Sequence, residues 1–150
     1  MGQSLILFYA HIVFSTKNRA PMISDDIREE LHSYLGGICK ENGCIPIKIG
    51  GTNDHVHILC RMSKQLSLSK LIQALKANSS KWVKTKGVSS QSFAWQSGYG
   101  AFSVNPQQVD VISKYILNQE EHHKKRSFKE EYLKILKKYN VEYDHRYIWD

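Results

Sequence analysis

Two histidines separated by a single residue, in Asp54-His55-Val56-His57-Ile58-Leu59, are where this sequence first offers chemistry. The stretch follows a turn, Gly50-Gly51-Thr52-Asn53, and reads as the start of a strand. Strand side chains alternate between faces, so His55 and His57 point one way while Val56, Ile58 and Cys60 point into a core on the other. Two imidazoles on one face can grip one metal ion, although half-buried polar residues on a sheet give the same pattern. Further along, Tyr115 is followed four residues later by Gln119, a spacing that puts both on one face of a helix. The amide oxygen of Gln119 can add a ligand, and a phenol beside a metal can attack a phosphate whose charge the metal offsets. Alone, Tyr115 reads as a packing aromatic and Gln119 as a solvated helix residue. The chemistry lies in the combination.

Other residues bear on this constellation. His11 sits on the first strand, able to bind or orient beside the pair, or to be a satisfied core histidine. Asp54 can hydrogen-bond a ligand imidazole or merely close the turn. His122 and His123 belong to a basic run, His122-His123-Lys124-Lys125-Arg126, and read as phosphate contacts or solvated residues. Cys39, Cys44 and Cys60 are odd in number with no CxxC spacing, which fits reduced, buried residues better than disulfides or zinc.

The chain has 150 residues, 41% of them hydrophobic, enough for one domain with a substantial core. No apolar run approaches a membrane span, and no secretory leader is expected, so a cytoplasmic protein is the reading. A net charge of +7 favours a polyanionic partner. Lys76, Lys81, Lys84 and Lys86 of a helical segment, with Lys124, Lys125 and Arg126, are the candidate phosphate contacts; a solvated helix face is the plainer reading of the first four.

These residues need elements to hold them. Leu5–Ser15 reads as a strand. Ser24 caps a helix whose apolar positions Ile27, Leu31, Leu35 and Ile38 carry it to about Asn42. Ile45, Ile47 and Ile49 alternate as the apolar face of a second strand. The third runs from His55 to about Met62. Ser67 caps a second helix, Phe93–Trp95 and Tyr99–Val104 form a short hairpin, and Asn105-Pro106 opens a helix running to about Lys124. Ser127-Phe128-Lys129-Glu130 is a capping box for a last helix. The ending Tyr143–Asp150 has no assigned place. This order predicts an α+β, ferredoxin-like (RRM-like) antiparallel sheet in a single domain over 1–150. Two helices cover one face, the histidines sit on the other, and the Tyr115 helix is free to lie over them.

The chain resembles the single-tyrosine HUH transposases of the smallest bacterial insertion sequences (IS200-like). The likeness rests on the His-hydrophobic-His strand and on Tyr115-Ile116-Leu117-Asn118-Gln119. Further similar stretches are His11–Arg19, Trp95–Val104 and Phe128–Asp150, so it spans nearly the whole chain. The resemblance implies metal ligands at His55, His57 and Gln119, a nucleophile at Tyr115, and Mg2+ or Mn2+ as cofactor. Two imidazoles suit manganese or zinc better than magnesium, which prefers oxygen ligands and waters. It further implies cleavage and rejoining of single-stranded DNA at hairpin-bearing ends through a 5′-phosphotyrosine. It also implies a homodimer in which the tyrosine helix of one subunit can complete the site of the other. A domesticated relative acting on host repeats, or a non-catalytic single-strand binding module, are the alternatives.

Overall fold

The computed structural model describes residues 2–150. Strands β1 (Tyr9–Ser15), β2 (Ile45–Gly51), β3 (His55–Arg61) and β4 (Gly100–Val104) form one sheet in the order β2-β3-β1-β4, every neighbouring pair antiparallel. Helices α1 (Asp25–Glu41) and α2 (Leu68–Lys84) lie on one face. The other face carries α3 (Val109–Leu117) and α5 (Phe128–Lys138), with the short α4 (Gln119–His123) between them in sequence. This is the α+β, ferredoxin-like arrangement. No helix among the described residues is long and apolar enough to cross a membrane.

Alternation along the strands sorts side chains as their types require. Ile12 and Phe14 of β1 and Val56, Ile58 and Cys60 of β3 pack under Leu31 and Leu35 of α1 and Leu71 and Leu75 of α2. Each such side chain, fully buried, stabilises the fold by roughly 1.5–3 kcal/mol. Both helices start where the sequence signals it. Asp25 and Asp26 occupy the first turn of α1, where the helix dipole favours anions. The hydroxyl of Ser67 accepts a hydrogen bond from the Lys70 amide at the head of α2.

On the opposite face, α3 seats Ile116 against Leu59 and Val104, while α5 seats Phe128, Tyr132 and Leu136 against Val13 and Phe102. Two glycines permit this approach. A Cβ on Gly50 would stand 2.6 Å from the carbonyl oxygen of Ile116, and one on Gly100 2.7 Å from the ring of Tyr132. Only a residue without a side chain lets these helices touch the sheet at those points.

Four expectations need correction. β1 starts at Tyr9; Leu5 to Phe8 lie outside the strand, exposed. Along β2 the alternation fails because a bulge interrupts the register between Pro46 and Lys48. Ile49 pairs with Ile58 and packs in the main core, whereas Ile45 pairs with Arg61 and is exposed, as is Ile47. An extra residue in one strand reverses which side its neighbours face. Phe93–Trp95 forms no hairpin with β4: Trp95 makes a single bridge to Thr16, and Phe93 and Trp95 are core residues. Last, the helix expected from Asn105 to Lys124 is a 3-10 turn, Pro106–Gln108, followed by α3 and α4 with a break at Asn118.

The ending also finds its place. Trp149 lies 6.0 Å from the ring of Tyr132, with the Arg19 guanidinium and the Lys129 ammonium over it at 5.5 and 5.0 Å. Its carbonyl accepts a hydrogen bond from Arg19 (2.9 Å), and that of Asp150 accepts one from the Gly98 amide (2.8 Å). The tail thereby ties α5 to two loops.

Candidate metal and nucleophile site

His55 and His57 project from β3 onto the face beneath α3 and α5, both fully buried. Each has its Nδ1 engaged from behind. His55 Nδ1 meets Asp54 Oδ1 at 2.8 Å and Thr52 Oγ1 at 3.1 Å. His57 Nδ1 meets His11 Nε2 at 2.8 Å. These contacts aim both Nε2 atoms the same way, the usual device for orienting metal-binding imidazoles. His11 is therefore an orienting partner of His57, and Asp54 and Thr52 are orienting partners of His55.

Glu131 of α5 completes the group. Its Oε1 lies 3.0 Å from His57 Nε2 and 3.6 Å from His55 Nε2. One ligand atom from each of His55, His57 and Glu131 lies within 4.8 Å of the others, all three residues being buried. Ligand bonds of about 2.0–2.2 Å to a single ion require separations of this size. Gln119, at the start of α4, places its amide oxygen 2.9 Å from His55 Nε2. If the hydrogen on His55 Nδ1 is donated to Asp54, the Nε2 lone pair faces two oxygens with no donor between them. Either an imidazolium proton or a metal cation satisfies such a gathering of acceptors. The donor set therefore fits a divalent cation.

Tyr115 joins from α3. Its hydroxyl donates to Glu131 Oε2, which also accepts from the Gln119 amide at 3.0 Å. Tyr115 and Gln119 meet the same carboxylate despite the break at Asn118, which caps the end of α3 and the start of α4. His123 of α4 also turns inward, its ring 4.4 Å from that of His55 and its Nε2 3.2 Å from Glu131 Oε1. His122 lies 4.9 Å from the Tyr115 ring.

The electrostatics follow from this crowding. Burial resists ionisation of Glu131, but the close approach of His123, the hydrogen bond from His57 and the charges of His57 and His55 hold its carboxyl far below the ordinary range. Burial, followed by the negative charge of Glu131, pushes the Tyr115 phenol well above its usual value. Burial and the neighbouring His57 bring His11 down to about 3, and burial also lowers His57.

The sequence does not point to Glu131, and it presents His123 as a phosphate contact or a solvated residue. Glu131 occupies a position of the apolar stripe of α5, between Phe128 and Ile135, and a carboxylate on such a stripe was the available signal. His123 was hidden in a basic run.

The cationic candidates divide. Lys76 has its ammonium bonded to the carbonyls of Gln96 (2.7 Å), Ser97 (3.1 Å) and Gly98 (2.6 Å). Lys81 and Lys84 are exposed on α2, across the sheet from the histidines. Lys86 stands 3.3 Å from Glu30 and 4.6 Å from the Trp82 ring. Lys124 pairs with Glu121 at 2.9 Å. Lys125 and Arg126 line a cavity of about 570 Å³ that reaches Tyr115 and Glu131.

A sheet that presents paired imidazoles to a carboxylate and a phenol on the helices above it defines a class, and comparison with known proteins names it. Residues 4–119 match the family model Transposase IS200 like, so the chain belongs to that family of transposases. Among solved structures, a chain from Deinococcus radiodurans R1 described as a candidate transposase is similar with a TM-score of 0.62. The two are 23% identical over 79% of this chain and 96% of that one. A REP-associated tyrosine transposase bound to a REP hairpin is similar at 0.59, 11% identical, over 82% of this chain and 74% of that one. At these identities the likeness is one of fold. No curated protein matches the chain.

Proposed function

We propose that this transposase cleaves and rejoins single-stranded DNA through a covalent 5′-phosphotyrosine at Tyr115, with a divalent cation held by His55, His57 and Glu131 and with Gln119 alongside. The observation that carries this reading is the convergence of the Tyr115 hydroxyl and both imidazoles on the single carboxylate of Glu131. The bond from Tyr115 Oη to phosphorus forms as the bond from phosphorus to O3′ breaks, leaving a free 3′-hydroxyl. The phosphodiester energy is kept in the tyrosine linkage, so the reverse attack by a 3′-hydroxyl rejoins strands without a nucleotide cofactor. Glu131 orients the phenol through its hydrogen bond. A bound divalent cation supplies positive charge that offsets both Glu131 and the scissile phosphate. Nitrogen, nitrogen and oxygen donors favour Mn2+ over Mg2+.

Because Tyr115 lies over the histidines of its own chain, one subunit carries every group needed for one cut. An unpaired strand adjoining a hairpin is the substrate form, in keeping with the hairpin bound by the structural relative. The test is incubation with single-stranded oligonucleotides carrying hairpins and Mn2+ or Mg2+, followed by denaturing electrophoresis. A covalent protein–DNA species is expected, and its persistence at wild-type yield in Tyr115→Phe would exclude the assigned nucleophile.

A further inference from the structure

We propose that the cavity beside Tyr115 is a pocket for one unpaired nucleotide adjoining the phosphate under attack. Lys134 and Lys138 grip that nucleotide's backbone and Tyr139 supplies a stacking surface. The proposal rests on Tyr115 being the nucleophile and names what the same site takes from the strand. The cavity, about 570 Å³, falls within the ~300–1,000 Å³ of small-molecule sites. His11, Tyr115 and Glu131 lie at its inner end, so whatever fills it abuts the reacting oxygen.

Its lining has two chemistries, and a nucleotide has both. Val111 and Ile112 from α3 and Ile135 from α5 are apolar walls. Val111 is 58% exposed at the mouth. Tyr139 is stacked on Phe102 with centroids 4.9 Å apart, and the Lys138 ammonium stands over its ring at 5.7 Å, a cation that a nucleotide's phosphate can draw away from the ring. Lys125, Arg126, Lys134 and Lys138 bring positive charge. Among the described residues none of these four makes an ion pair, unlike Lys86 and Lys124. A surface for the backbone alone needs no apolar wall, and an apolar ligand needs no such charge. A base against the wall and aromatic ring, with its phosphate at the lysines, uses both. Glu131 and Ile135 share one flank of α5 and Tyr139, its C-cap, continues their four-residue spacing, with Lys134 and Lys138 beside them.

The test begins with a randomised single-stranded pool. Strands captured covalently by the wild-type protein are sequenced to locate the cleaved phosphate. In one such oligonucleotide an abasic site is placed at each flanking position in turn, and adduct formation is followed against concentration. An abasic site at one flanking position is expected to raise KM about tenfold or more, the effect of losing one base–aromatic stack. In Val111→Trp, which adds bulk at an exposed lining position, the parent strand is expected to lose affinity and the abasic penalty to fall below about twofold. Abasic strands that react like the parent at both positions would overturn the pocket, as would a penalty undiminished in Val111→Trp. A wild-type protein that captures no strand at all would instead overturn the assignment of Tyr115.

Discussion

Tyr115 and Glu131 meet through a hydrogen bond in which the phenol donates to Oε2, while Oε1 of the same carboxylate faces His57 at 3.0 Å. One side chain thus joins a nucleophile on α3 to a ligand group on β3. Glu131→Gln keeps the shape and removes the charge. Mn2+ affinity, read by calorimetric titration, is expected to fall at least about tenfold. Far-ultraviolet circular dichroism should be unchanged. Equal affinity in the variant would remove Glu131 from the ligand group.

Gly50 decides whether α3 can reach the sheet. Gly50→Ala forces a methyl against the Ile116 carbonyl, and overpacking of this kind costs about 1–3 kcal/mol. The denaturation midpoint should drop, and adduct yield should drop further than stability alone explains, because Tyr115 is displaced. A variant with wild-type yield would show that α3 can be placed without this contact.

Acid should destabilise the metal-free protein well before its carboxylates ordinarily titrate. His11 and His32 are lowered to about 3 and about 4 from 6.5, in each case chiefly by burial. Between those values and 6.5 the unfolded chain binds more protons than the folded one, so stability rises with pH through that window and is lost as pH falls. Glu131, also depressed, adds a loss of the same sign at lower pH. His32 Nε2 is buried without a partner, so His32→Leu should flatten part of the slope. Urea midpoints at pH 7.5 and 5, with chelator, measure it; identical midpoints in the wild type would contradict the argument.

Lys76 should matter to stability and not to DNA. Lys76→Met leaves three carbonyls of the Gln96–Gly98 loop without their donor, a loss on the order of 2 kcal/mol. Thermal denaturation should register it. Affinity for single-stranded DNA, and its salt dependence, should stay within about twofold of wild type.

Much of this was legible in the sequence because it depends on local rules. Alternation alone puts His55 and His57 on one face and Val56 and Ile58 on the other. The caps at Ser24 and Ser67 mark helix starts, and the spacing of Tyr115 and Gln119 survives the break at Asn118. What escaped depends on the third dimension. A bulge in β2 is one residue of register, invisible to a pattern that reads Ile45, Ile47 and Ile49 as equals. Trp95 looks like strand and is core. Glu131 had no sequence neighbour to announce it, since its partners come from β3, α3 and α4. Lys76 is indistinguishable by type from Lys81, and only the fold of the 96–98 loop separates a buried donor from a solvated one.

The main hydrophobic layer draws its fully buried members from residues 10–95, while the carboxylate, the inward histidine and the cationic rim all follow Asn118. The paired imidazoles therefore belong to the same stretch as the main core, and the groups that complete their site come after it. A platform built before Asn118 can tolerate revision of what is bolted onto it later, so new strand preferences can evolve by exchanging the segment after Asn118 without rebuilding the sheet.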